Sequence, residues 1–94
     1  MNADDRKKML QKVKSVVAAW GDRSVKEIKV ATKLADLRDG KLTALGLMLR
    51  ARFDLDHGPD FDETLFDAMW RSANIVTVEH CYWLVDMAFT SQTA

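Results

Sequence analysis

A single cysteine, Cys81, leaves this chain unable to close an internal disulfide or to build a Cys-x-x-Cys metal site. That agrees with a reducing compartment, and within "EHCYWLV" the thiol reads as a small buried apolar group. The four glycines, Gly21, Gly40, Gly46 and Gly58, are scattered, so no phosphate-cradling loop exists and they are expected to serve turns and helix packing. The longest apolar runs, "SVVAAW" and "CYWLV", fall far short of the roughly 18 residues of a membrane span. "MNADDRKK" lacks the pattern of a secretion signal. We expect a cytoplasmic protein with no membrane span.

What is present describes one folded domain over residues 1–94, with 48% hydrophobic and 30% charged residues. A chain of this length has one core. The net charge of zero hides an asymmetry: residues 1–52 hold thirteen of the fourteen Lys and Arg against six acids, and residues 53–94 hold one base against eight acids. No basic segment is laced with aromatics, so nucleic-acid binding is not expected.

Apolar residues at Met9, Leu10, Val13, Val16, Val17 and Trp20 predict a first amphipathic helix, capped by Asp4 or Asp5 and stopping at Gly21. Residues 22–36 mix helical and β-branched residues and predict a short turn of helix within an ordered loop. Leu42, Leu45, Leu49 and Phe53 form one stripe, with Met48 beside it, and predict a second helix from Leu42 to Phe53. The acidic connection "DLDHGPDFDE" ends in a capping box, Asp60 to Glu63, that opens a third helix carrying Leu65, Phe66, Met69 and Trp70. Asn74 or Thr77 opens the last helix, with Val78, Cys81, Tyr82, Val85 and Phe89 inward, and "TSQTA" is expected to fray. The fold class is all-α, a small four-helix bundle.

Catalytic and metal chemistry find little to work with. A calcium loop begun at Asp54 would need glycine where Pro59 stands and glutamate where Leu65 stands. His57 and His80 are 23 residues apart, and neither has a second His or Cys at i+3 or i+4, so a zinc site would have to be assembled from distant parts of the chain with carboxylates. His80 and Cys81, as helix neighbours, point about 100° apart and make no nucleophile pair. A helix-turn-helix around "RDG" would present Leu42, Thr43, Ala44 and Leu45 where a recognition helix needs polar side chains. No catalytic residue, metal or cofactor is expected.

In their order, these features resemble the acyl carrier protein family. "EIKVATKLADL" at 27–37, "LRARF" at 49–53 followed by "DLD", and "VTVEHCYWLV" at 76–85 sit where a carrier domain has its long first loop ending in Asp-Leu, its apolar second helix, and its step into the last helix. The resemblance implies an acyl-carrier-like bundle, and it places a phosphopantetheine-bearing serine in the "RDGK" turn. Counting from Asp36-Leu37 puts Lys41 at that position, and counting back from Phe53 puts Asp39 there. No serine occurs between Ser24 and Ser72, and using Ser24 would delete the long loop. The second helix carries Lys41, Arg50 and Arg52 where carrier domains are acidic. The longer third segment resembles serine-lacking carrier-like domains of bacteria.

The leading expectation is a non-catalytic binding or regulatory module that has lost the prosthetic group. It would meet a protein partner, a biosynthetic enzyme or regulator, through Lys41, Met48, Arg50 and Arg52. The alternatives are a genuine carrier of a fatty-acid or polyketide system and a small inhibitor or immunity-type protein of a mobile element. Any of Trp20, Trp70 and Trp83 that proves exposed would mark an interface.

Overall fold

The computed structural model describes residues 3–90. Five α-helices follow in order: α1, Ala3–Gly21; α2, Leu34–Leu37; α3, Leu42–His57; α4, Glu63–Ser72; and α5, Val78–Thr90. Among the described residues there is no strand, only an isolated bridge between Lys33 and Thr77, and the four longer helices make the bundle. No helix among them is long and apolar enough to cross a membrane. Both α1 and α4 pack on both α3 and α5, so α1 and α4 occupy opposite corners. The charge asymmetry of the sequence thereby becomes spatial. Arg6, Lys7, Lys8, Lys12 and Lys14 lie along α1, and Asp62, Glu63 and Asp67 gather on α4 and its cap.

In α1, Met9, Val13, Val16, Val17 and Trp20 face the core at the spacing expected of one helical face. Asp4 and Asp5 lie inside its first turn rather than at a cap, where they suit the positive end of the helix dipole. The helix stops at Gly21, as expected, and the residue after it closes the end. Arg23 N–H donates to Ala18 O at 2.8 Å and Asp22 N–H to Ala19 O at 3.3 Å, a Schellman ending in which Asp22, at φ 56°, takes the left-handed position usual for glycine. Gly21 has another duty: a Cβ there would lie 3.1 Å from Leu37 Cβ, so its bareness lets α2 pack against the end of α1.

The loop from 22 to 33 is held by its own backbone. Ser24 accepts from Lys26 N–H while Glu27 accepts from Ser24 N–H, boxing a 3-10 turn at Val25–Glu27, and Ile28 plugs the core just after it. The next stretch closes the open start of α5. Val78 N–H donates to Thr32 O at 3.1 Å and Glu79 N–H to Val30 O at 3.0 Å, while Leu34 N–H donates to Val76 O at 2.9 Å. Those carbonyls satisfy two of the donors a helix N-terminus leaves free.

The acidic connection begins later than its composition suggests. α3 runs four residues past Phe53, through Asp54 and Asp56, and stops at Gly58, whose φ is 55°. A 3-10 turn at Gly58–Asp60 then carries Phe61 into the core, and Asp62, not Asp60, caps α4 by accepting from Leu65 N–H at 3.0 Å. The reason is the ring: Phe61 is buried against Phe53, Phe66 and Phe89 at centroid distances of 5.4–5.7 Å, which sets the helix cap one residue after it. The expected fraying of residues 91–94 lies outside the described residues.

Candidate functional site

The "RDGK" turn joins α2 to α3, and its backbone is fastened to the end of α1. Arg38 Nη1 donates to Trp20 O at 3.0 Å, and its guanidinium lies over the Trp20 indole at 5.8 Å. The indole N–H of the same tryptophan donates to Lys41 O at 3.1 Å. Gly40 and Lys41 have φ of 71° and 68°, so the chain reverses through two successive left-handed residues before α3 begins. The turn is a clasp on the bundle. Asp39 and Lys41, the two residues to which the expected carrier register points, have exposed side chains with no hydrogen bond or ion pair among the described residues. Neither supplies a hydroxyl for a prosthetic arm.

A second tryptophan holds the next carbonyl. Trp70 Nε1 donates to Leu42 O at 3.0 Å, and its ring lies so close to α3 that a Cβ at Gly46 would stand 2.5 Å from that nitrogen. Trp20 from α1 and Trp70 from α4 thus hold the first turn of α3 from two sides. One is buried and the other half-buried.

α3 is apolar on two faces. Leu45, Leu49 and Phe53 point inward and are fully buried. Leu47, Ala51 and Leu55, at i, i+4 and i+8, point the other way with Met48 alongside; Leu47 is 55% exposed and Leu55 82%. A helix apolar all round is normally enclosed by its surroundings. Here bundle neighbours enclose only half of it. Sequence reasoning placed Met48 at this surface but missed Leu47 and Leu55, although their four-residue spacing, out of phase with the core stripe, carries the signal.

Two of the three cations expected on this helix, Arg50 and Arg52, are engaged. Arg50 reaches toward α4, 3.4 Å from Glu63 and 3.0 Å from Asp67. Arg52 reaches the other way, 3.0 Å from Asp56, which also takes Lys12 of α1 at 2.7 Å. Hydrogen bonds from Lys12 first, then Arg52, hold the Asp56 carboxyl below its ordinary value. Lys12 also lies 3.2 Å from His57 Nε2, and His57 rests its ring edge-on to Phe89 at 4.8 Å. Burial, then the Lys12 charge, push the His57 imidazole below its ordinary value, toward the neutral form that can accept from Lys12.

Elsewhere the reactive side chains have structural work. Burial drives the Cys81 thiol up to about 12, which leaves it protonated and inert at neutral pH. His80 Nδ1 accepts from Val76 N–H at 3.0 Å and Thr77 N–H at 3.2 Å, acting at the third position of α5 as a capping-box glutamate would. Burial, then Asp86, raises the Tyr82 hydroxyl. Among the described residues, no group of His, Cys, Asp and Glu is arranged to hold a metal. A cleft of about 360 Å³ lies between Lys8, Lys12, His57, Asp60 and Phe89, mixed in charge and open to solvent. Trp83 is the exposed tryptophan, at 50%, against the His80 ring and on the same side of α5 as exposed Met87. No protein-family model, curated protein or solved structure matches this chain.

Proposed function

We propose that this chain is a non-catalytic binding module, carrier-like in the order of its helices, that works by docking the outer face of α3 against a protein. The observation that carries this reading is the second apolar face of α3, Leu47, Met48 and Leu55 standing exposed opposite a fully buried stripe. Lys41 at the head of the helix and Arg52 at its flank rim that face, whereas Arg50 turns aside to bind α4. Two facts favour a module without a prosthetic group: the carrier position holds Asp39 or Lys41, and the Ser24 hydroxyl is occupied as the cap of its 3-10 turn.

Two measurements on one preparation test this. The protein and its Leu55→Asp variant serve as baits in extracts of the source cells, and the protein is separately incubated with a phosphopantetheinyl transferase and coenzyme A for mass spectrometry. The reading expects a partner retained by the parent and lost by the variant, with no mass gain. Addition of the phosphopantetheine arm to any serine would replace it with a true carrier function.

A further inference from the structure

We infer that the outer face of α3 pairs with the same face of a second copy of this chain, side by side about a two-fold axis running along the helix. This rests on the docking reading above and names its occupant.

The two flanks of the stripe are unlike. On the α1 side Lys12 and Arg52 share one carboxylate, Asp56, which leaves an excess of positive charge. On the α4 side Arg50 is shared by Glu63 and Asp67, and Arg71 stands beside Asp67 and Leu47, so these four charges balance. Asp54 makes that flank net negative: at 100° per residue it stands about 40° round the helix from Arg50, exposed and in no ion pair among the described residues.

Symmetry then selects the arrangement. A two-fold that makes the helices antiparallel sets like flank against like, Lys12 and Arg52 against their own copies. A two-fold along α3 makes them parallel and sets each positive flank against the partner's negative one, bringing Arg52 of each copy level with the other's Asp54. Opposed charge across an apolar seam favours the second and disfavours the first. The contact is isologous, so it closes at two copies, whereas stacking the basic α1 corner on the acidic α4 corner would run on as a chain. A stable pair buries about 800 Å² per copy, about one seventh of the 5826 Å² surface. α3 offers a ridge of about 24 Å with its neighbours on either side.

Analytical ultracentrifugation of the full chain from about 1 to about 300 µM tests this. The expected result is a monomer–dimer equilibrium that weakens with added salt and is abolished by Leu55→Asp. Arg52→Asp and Asp54→Arg should each weaken pairing about tenfold, since each puts like charges across the seam. An equimolar mixture of those two variants should pair again, because each supplies the charge the other has lost. Thermal melts of the Leu55→Asp and Asp54→Arg variants at the dilute, monomeric end should match the parent, as those side chains are exposed, whereas Arg52→Asp melts slightly lower because it loses its pair with Asp56. A monomer at every concentration overturns the self-pairing while leaving a different docking partner open to its own test. A dimer indifferent to Leu55→Asp, or a mixture that pairs no better than its components, also overturns it.

Discussion

The Trp70 indole nitrogen sits 3.0 Å from the carbonyl oxygen of Leu42, a position it can hold only because the residue one turn later is Gly46. A Cβ at 46 would stand 2.5–2.8 Å from three atoms of that ring. Replacing a glycine inside a helix by alanine ordinarily gains about 1 kcal/mol from propensity alone. Here the sign should reverse. Gly46→Ala is expected to lose about 1–3 kcal/mol, the cost of overpacking a filled site, in urea melts. A Trp70→Phe background removes the hydrogen bond and frees the ring to shift, so the penalty there should shrink.

Asp22 gives the opposite case. It holds φ 56° at the end of α1, where a left-handed residue closes the Schellman hydrogen bonds. Asp22→Gly should therefore raise stability by up to about 1 kcal/mol, the cost of left-handed backbone for a residue with a Cβ being roughly 1–2 kcal/mol. Gly21→Ala, one residue earlier, should lower it, because Leu37 fills the space. Paired thermal melts separate the two effects.

The start of α5 depends on an imidazole accepting two backbone N–H groups. His80→Ala is expected to cost about 1 kcal/mol, the usual value of an N-terminal cap. His80→Gln, which can reach back from the same position as a capping-box residue, should recover much of it. Amide exchange at Val76 and Thr77 reports the loss locally.

Acid should loosen the junction of α1 and α3 in two stages. The His57 pKa is lowered by folding, so below its ordinary 6.5 the unfolded chain binds a proton that the folded chain does not, and stability falls as pH falls through that range. Asp56 is also lowered, so its contribution is present above its ordinary 3.8 and is lost below it. Melting temperature should decline from pH 7.5 to 5.5, and His57→Gln, which keeps an acceptor for Lys12 without titrating, should flatten that first decline. Loss of the lower-pH stage belongs to Asp56→Asn.

Much of the bundle was legible because its helices bury regular stripes: Val13, Val17 and Trp20, or Leu45, Leu49 and Phe53, repeat at helical spacing. What escaped is settled by contacts distant in sequence. Asp54 and Asp56 read as a connection because they are polar, yet they ride the outer turns of α3, Asp56 held by Arg52 and by Lys12 from α1. The cap of α4 moved from Asp60 to Asp62 because Phe61 enters the core between them. The site was half legible. "RDGK" stood out as an unusual turn, but its purpose depends on Trp20 eighteen residues earlier, whose carbonyl and indole fix the turn at both ends. Leu47 and Leu55 were hidden by the stronger core stripe on the same helix.

If α3 meets another protein through its outward face, photo-crosslinking will trap that contact. A photoreactive amino acid placed in turn at positions 47 and 55, and at the exposed loop residue Lys29 as control, is irradiated in the source cells. Docking through this face gives a discrete protein adduct from 47 and 55, either a second copy or another chain, and none from 29. No adduct from either α3 position, or equal adducts from all three, would contradict it.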